Sequence, residues 1–331
     1  MSVKKSYMPP DDVIAAFPEI SGNSVNGFGQ SEYRQAAPFF WHPPELQPHG
    51  GLQAKVLEYL FSQEEVALEF SHVAMGGPVR GPEPVAQSDQ RVQRTPQEWS
   101  ADIKQYGLAN EADVVGIAAM RDDYLFEGFQ NEHKYIVIVG VAHDYDTMKT
   151  APAYPGNTGS AVEVGRQYNR GARAVSKLRN YILEQGYPAT TYPGPMADAI
   201  NMVPAAIDCG LGELGKHGSL IHRELGSSFR LAALTTDLPL VTDSPDVFGV
   251  DAVCSRCQAC ERACPPRAIY SEKQMVRGTA KWYVDFDKCI PFFAEAYGCA
   301  ACIAACPWSI PGVADNLLNK LARRKAREGE D

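Results

Sequence analysis

Hydrophobic positions along this chain change period several times. Between Gly51 and His72, the residues Leu52, Val56, Tyr59, Leu60, Val66 and Phe70 recur every three to four positions, which places them on one face of a helix. Ala112 to Ala118 and Tyr135 to Ala142 are instead short, almost continuous apolar runs, and they read as buried strands. Phe229 to Thr235 is a third short strand candidate. Between these runs, Ser160 to Gly186 returns to helical periodicity and is expected to close at its glycine. Another helix should start sharply at Thr95, because Thr95-Pro96-Gln97-Glu98 is a capping box with proline at the first helical position. Strands alternating with helices predict an α/β core, a sandwich of sheet and helices.

The remainder has little periodicity. Residues 1–50 are rich in Pro, Gly, Asn and aromatics and read as an extended arm wrapping a larger body. Gly76 to Gln93 is a Gly/Pro-rich loop of a length that often lines a site or an interface. From Val253 onward the chain becomes cysteine-dense. The expected division is an arm and helix over 1–95, an α/β core over 96–245 and a cysteine-rich unit over 246–331.

Composition narrows the function. The 331 residues are 45% hydrophobic, enough for one large domain with an appendage or for two domains. The net charge of −9, without a basic stripe, argues against a nucleic-acid partner. The basic residues Lys320, Arg323, Arg324, Lys325 and Arg327 alternate with acids and read as a solvated helix end. No stretch approaches the ~18 apolar residues of a membrane span, and no leader is visible, so the expectation is a cytoplasmic protein without membrane contact. In that compartment nine cysteines point to metal or redox chemistry rather than to disulfides.

Eight of the nine form two runs. Cys254, Cys257, Cys260 and Cys264-Pro265 follow the C-x2-C-x2-C-x3-C-P pattern of two-cluster ferredoxins. Cys289, then Cys299, Cys302 and Cys306-Pro307, repeat it with the first spacing stretched. Three thiolates on one tight turn grip three corners of a [4Fe–4S] cubane, while the fourth ligates the other cluster. The expected sets are therefore Cys254, Cys257, Cys260 and Cys306 for one cluster, and Cys264, Cys289, Cys299 and Cys302 for the other. Zinc fits poorly, because three thiolates so closely spaced would crowd one tetrahedron. Cys209 lies outside both runs and reads as a small core residue. A two-cluster module needs far fewer residues than this chain has, so the clusters are expected to feed a redox centre held by the larger part.

Gly210-Leu211-Gly212-Glu213-Leu214-Gly215 matches G-x-G-x-x-G, but a dinucleotide site needs a strand just before it. Asn201 to Cys209 contains Pro204 and looks helical or irregular, so a nicotinamide site is not expected. In context the segment points elsewhere. Pro204-Ala-Ala-Ile-Asp-Cys-Gly-Leu-Gly-Glu213, Gly226-Ser-Ser-Phe-Arg230, Thr236-Asp237-Leu238-Pro239-Leu240 and Phe248-Gly249-Val250 lead in that order into the first cysteine run. Ala112-Asp113-Val114-Val115-Gly116-Ile117, the helix from Tyr168 to Gly186-Tyr187, and Trp282-Tyr-Val-Asp285 before Cys289 complete the pattern. Over roughly residues 100 to 310 the chain resembles the corrinoid-dependent reductive dehalogenases.

The resemblance implies a cobalamin in a nitroreductase-like α/β core, with one cluster close to the corrin and no protein histidine beneath the cobalt. None of the seven histidines lies in a D-x-H-x-x-G context. It implies corrinoid contacts from Pro204, Gly210, Leu211, Gly212, Glu213, His217, Thr236 and Asp237. It further implies that Tyr168 donates a proton and that Arg230 supports it. The family's third polar group, an asparagine or lysine, falls in Tyr192-Pro193-Gly194-Pro195, where this chain offers Gly194. The expected partners are a small-molecule substrate, such as a halogenated aromatic, and a low-potential ferredoxin or flavodoxin. Two alternatives remain: an epoxyqueuosine reductase-like enzyme, and a non-catalytic iron–sulfur electron carrier. Epoxyqueuosine reductases carry Tyr-x-Arg-Gly-Arg-Asp with a catalytic aspartate. Here Tyr168-Asn-Arg170-Gly171-Ala172-Arg173 puts an arginine at that place, and the short stretch after Cys306 leaves no room for a helical tRNA-binding tail.

Overall fold

The structure is a computed structural model that describes residues 7–38, 51–195 and 199–328. Parts of the expected arm, at 1–6 and 39–50, lie outside the described residues.

At its centre is a four-stranded antiparallel sheet of β1 (Val114–Ala119), β2 (Tyr135–Ala142), β3 (Ala189–Tyr192) and β4 (Phe229–Thr236), in the order β1-β2-β4-β3. Register runs Val114 opposite Gly140, Ala142 opposite Phe229 and Tyr192 opposite Ala233. Successive side chains on β2 point to opposite faces. Val137 and Val139 pack with Trp99, Ile103, Val175, Leu178 and Ile182 from two helices, Pro96–Ala109 and Gly159–Glu184. Ile136 and Ile138 pack on the other face with Met202, Ala205 and Ala206 from the helix Met202–Asp208. Both faces are covered, which explains why β2 reads as a continuous apolar run despite being antiparallel. Each such side chain buried contributes about 1.5–3 kcal/mol.

The capping box forms as the sequence predicts: Thr95 Oγ1 accepts from Glu98 N and Glu98 Oε2 accepts from Thr95 N. Gly186, at φ +86°, ends the long helix in the left-handed region. One expectation needs correction, and one element was not expected. The helix expected over Gly51–His72 is two helices, Leu52–Phe61 and Glu64–Met75. Ser62 Oγ folds back to Tyr59 O at 2.7 Å, Gln63 is extended, and Glu64 and Glu65 favour a new N-terminus. The edge strand β3 carries no apolar alternation and is missing from the sequence pattern; Ala189–Tyr192 is held by pairing with β4.

The N-terminal region packs on the cysteine-rich end of the chain. Asn23 bonds Asp285, Tyr283 and the Phe286 N–H, and Ser21 bonds Asp287. A third apolar cluster joins Leu52, Val56 and Phe70 to Val162 of the long helix and to Phe286, Ile290 and Tyr297. Among the described residues no helix is long and apolar enough to cross a membrane.

Candidate functional site

The two cysteine runs are interleaved in space. Cys254, Cys257, Cys260 and Cys306 line one small enclosed space with Lys216, His217 and Trp308. Cys264, Cys289, Cys299 and Cys302 line part of a cavity of about 690 Å³. The fourth cysteine of each run thus stands with the other run, the grouping expected from the spacing. Local backbone explains it. Cys264 and Cys306 each leave a short helical segment in extended conformation, with ψ of 112° and 123°, so each chain departs before proline. Tyr297, Gly298, Cys299 and Ala300 have φ of +50°, +99°, +46° and +62°. Non-glycine residues seldom adopt that conformation, and its concentration here bends the second run sharply around its thiols.

The thiol environment suits iron. Burial first, and neighbouring cysteines second, push Cys260 and Cys289 up to about 12, and burial pushes Cys254 to about 12 and Cys299 to about 11. Buried thiolates grouped this way are stable only beside positive charge, which a metal cluster supplies. Lys216 adds a cation that sequence reasoning did not single out for the cluster. It is buried, its Nζ donates to Cys257 O at 2.9 Å and to Glu261 at 2.6 Å, and it lies 5.1 Å from the Trp282 ring.

A second chamber adjoins the large cavity. It holds about 310 Å³ and is lined by Tyr168, Arg230, His143, Gly194, Ser227 and Phe229, among others. Tyr168 projects from the long helix, and the Arg230 guanidinium carbon lies 5.1 Å from its ring centroid. Arg230 sits on β4 opposite Val141 of β2. Its Nε is buried and without a hydrogen-bond partner. His143 follows the last residue of β2 and is buried. Its Nδ1 lies 3.3 Å from Ser228 Oγ, and its Nε2 has no partner. Burial, then the charge of Arg230, holds its pKa well below the usual histidine range, so the ring is neutral.

Arg80 completes the cluster of polar groups. It lies in the irregular loop expected over Gly76–Gln93, within the single helical turn Pro78–Arg80. Its Nη2 donates to Gly194 O at 2.8 Å and its Nη1 lies 3.4 Å from Asn169 Oδ1. Burial pushes its pKa down to about 10 against the opposing pull of Tyr168, which leaves it cationic at neutral pH. Gly194 has φ +55°, and a Cβ there would meet Tyr168 Cε1 at 3.7 Å. Where a side chain is expected from the resemblance, this chain therefore presents a glycine packed against Tyr168, Leu231 and Met202, and a guanidinium brought in from the N-terminal region. No spacing in the sequence marks Arg80 or His143. The one available hint for His143 was its position directly after a buried strand.

Of the remaining expected cofactor contacts, Pro204 and His217 line the large cavity. His217 is buried and its pKa falls to about 4 through desolvation. Its Nδ1 accepts the Ser219 N–H at 3.2 Å, so the proton sits on Nε2, which has no partner. The other six make contacts within the protein. Glu213 Oε2 accepts the N–H groups of Phe248, Gly249 and Val250. Thr236 Oγ1 donates to Pro188 O, and Asp237 accepts from Lys134 N. Leu211 is buried in the core beneath the sheet. Gly210 and Gly212 make close backbone approaches to Ser244 O and Ile221 O. The G-x-G-x-x-G segment follows a helix rather than a strand, as the residues before it suggested. Cys209 is buried against Gly116, its thiol pushed up to about 12 by desolvation.

Residues 253–310 match the 4Fe-4S dicluster domain family. Over 212 residues the chain is 32% identical to the tetrachloroethene reductive dehalogenase of Dehalobacter restrictus, covering 60% of this chain and 37% of that protein. Over that stretch the chain is similar to the reductive dehalogenases. It spans well under half the length of the curated relatives it matches. It is also 32% identical over 160 residues to the epoxyqueuosine reductase of Vibrio cholerae, covering 45% of this chain and 42% of that one. A catabolic reductive dehalogenase solved in complex with 3-bromo-4-hydroxybenzoic acid shares its fold, with a TM-score of 0.74 at 23% identity, over 92% of this chain and 46% of the other.

Proposed function

We propose that this chain is a member of the reductive dehalogenase family, a cobalamin- and iron–sulfur-dependent oxidoreductase that replaces a carbon–halogen bond by carbon–hydrogen. The observation that supports this most is continuity. The cavity bounded by Cys264, Cys289, Cys299 and Cys302 shares Arg230, Asn201, Val203, Gly218 and Ser219 with the chamber that holds Tyr168. That continuity supports a reading in which electrons and a proton would reach one place.

The reaction consumes two electrons and one proton and releases a halide anion. The electrons come singly from an external low-potential donor, a ferredoxin or flavodoxin in a cytoplasmic setting. Cys254, Cys257, Cys260 and Cys306 would hold one [4Fe–4S] cluster and Cys264, Cys289, Cys299 and Cys302 the other, and the two would relay these electrons inward. Cobalamin, when bound, supplies the two-electron reductant for the halogenated carbon. The large cavity fits such a group: it is mostly apolar, with Pro204, Ile207, Leu214 and Trp282 in its wall and His217 as an unpartnered polar atom. Because His217 Nδ1 already accepts a backbone N–H, the protonated Nε2 could donate a hydrogen bond to such a group but could not ligate a metal. That favours a base-off corrinoid without a histidine ligand.

Tyr168 is the proton donor. A phenol ionises near pH 10 in water, and a fixed guanidinium nearby stabilises the phenolate left behind. Arg230 lies over the ring, and Arg80 adds a second charge. The departing halide develops negative charge in a chamber whose walls already hold this positive charge, which lowers the barrier to its release.

Anaerobic reconstitution with iron, sulfide and cobalamin tests the reading. Uptake of corrinoid with an EPR signal free of axial nitrogen splitting is expected; failure to take up any corrinoid overturns it and leaves an iron–sulfur carrier. Epoxyqueuosine reduction is the second reading, supported by the similarity to that enzyme. Against it, Arg173, at the place of the expected aspartate, pairs with Glu111 at 2.8 Å and donates to Val79 O. Bromide release from a brominated phenol and reduction of epoxyqueuosine, assayed in parallel, separate the two.

A further inference from the structure

We propose that His143, acting with Arg230, is a specificity-determining residue that selects organic halides bearing a hydroxyl group over those with only carbon beside the halogen. The inference rests on the reading above, and its test is built to fail separately.

Two polar atoms at this chamber are buried and lack any partner: His143 Nε2 and Arg230 Nε. A buried donor or acceptor left unpaired is costly, and native proteins keep few of them. Both residues line the same chamber, with apolar Phe126, Ile200, Met202 and Phe229 around them. His143 is not free to turn away. Its backbone N–H donates to Ser228 O at 3.0 Å, and its Nδ1 lies 3.3 Å from Ser228 Oγ, so both ends of the residue are anchored on the strand neighbour that leads into Arg230. The anchoring hydroxyl can serve either tautomer, donating to Nδ1 or accepting from it.

What would satisfy the pair follows from their chemistry. Arg230 Nε–H can only donate. The neutral imidazole presents either a donor or an acceptor at Nε2. A hydroxyl accepts from the guanidinium and, having both roles, complements either form of the imidazole. A halogenated alkene or arene without oxygen complements neither and leaves both atoms unpaired in an apolar wall. No carboxylate side chain lines the chamber among the described residues, so no fixed anion there neutralises Arg230.

The test compares 2-bromophenol with 2-bromotoluene, in which a methyl group of similar size replaces the hydroxyl. Dissociation constants are measured by calorimetry on the cluster- and cobalamin-loaded protein in the absence of reductant. Wild type is expected to bind the phenol at least tenfold more tightly. His143→Phe should bring the two ligands within about threefold, and His143→Gln, which keeps a polar atom at that reach, should restore part of the preference. Iron–sulfur absorbance reports whether each variant is intact, and the wild-type comparison stands without either variant. Equal binding of the two ligands by wild type overturns the proposal, and so does a phenol preference that survives in intact His143→Phe. A His143-dependent preference without bromide release on reduction refutes the dehalogenase reading while leaving this assignment standing.

Discussion

Glu213 offers a test of how the cluster-bearing segment is held. The resemblance suggested a cofactor contact, whereas its Oε2 accepts three backbone N–H groups, from Phe248 at 2.7 Å, Gly249 at 2.8 Å and Val250 at 3.1 Å. Gly249, at φ +101°, precedes the short helix Val250–Cys254 that presents the first thiol. Phe248 and Val250 are buried, so water cannot easily take the place of the carboxylate. A hydrogen bond to a charged group contributes about 1.5–3 kcal/mol net. Three donors share one oxygen, so Glu213→Ala should cost about 3–5 kcal/mol rather than the full sum. Total stability is of the order of 5–15 kcal/mol, and one kcal/mol shifts Tm by about 2 °C in a large domain, so a drop of about 5–10 °C is expected. Glu213→Gln keeps an acceptor but loses its charge and should lie between, about 1–2 kcal/mol below wild type. Scanning calorimetry of the cluster-loaded protein, with iron content measured on the same samples, reads both effects. The Ala variant should also lose iron, because the turn carrying Cys254 is no longer tied down. If Glu213→Ala melts within about 1 °C of wild type with full iron content, the carboxylate is not an anchor and the reasoning fails.

Tyr168→Phe should retain both clusters and corrinoid by absorbance yet lose at least a hundredfold in turnover, in the range of general acid catalysis; full activity would exclude Tyr168 as the donor. Gly226→Ala should give little soluble, cluster-loaded protein, since the position has φ +65° and a Cβ would stand 2.0 Å from Trp308 O, beside Cys306; near-normal yield and absorbance would contradict this. Lys216→Met removes a buried cation bonded to Cys257 O and should lower the midpoint potential of the neighbouring cluster by some tens of millivolts, read by redox titration with EPR; an unchanged or higher potential would refute it. The unfolded chain protonates His143 below about pH 6.5, whereas burial keeps the folded ring neutral well below that. The unfolded state then binds more protons, so stability falls as pH decreases from about 6.5, and the fall should be shallower in His143→Phe; an identical acid limb in both proteins would show that the ring does not contribute.

Much of the architecture is legible along the chain because it depends on local pattern. Thr95 and Glu98 cap a helix using only each other, and β2 announces itself because both of its faces are buried. The helix break at Ser62-Gln63 and the strand Ala189–Tyr192 are less visible. The first depends on one side chain folding back to Tyr59 O, and the second on the partner strand β4.

The site divides along the same line. Cysteine spacing alone predicts that two clusters are to be held, and which thiols would belong together, because a cubane demands a tight turn and a departing fourth ligand. The helix before the G-x-G-x-x-G segment is legible as well, because Pro204 and the lack of a β-rich run argue against a strand there. What the cavity is made of is a tertiary decision. Arg80 stands more than eighty positions before Tyr168 and Gly194 more than twenty after it, and only packing of the irregular loop on the long helix brings Arg80 to Gly194 O. His143 is an ordinary residue after a strand until the fold buries its ring beside Arg230 and removes every partner from Nε2. Covalent spacing specifies a metal cluster because its ligands are neighbours. A binding chamber is assembled from distant side chains, and its chemistry comes from which of them lose water together.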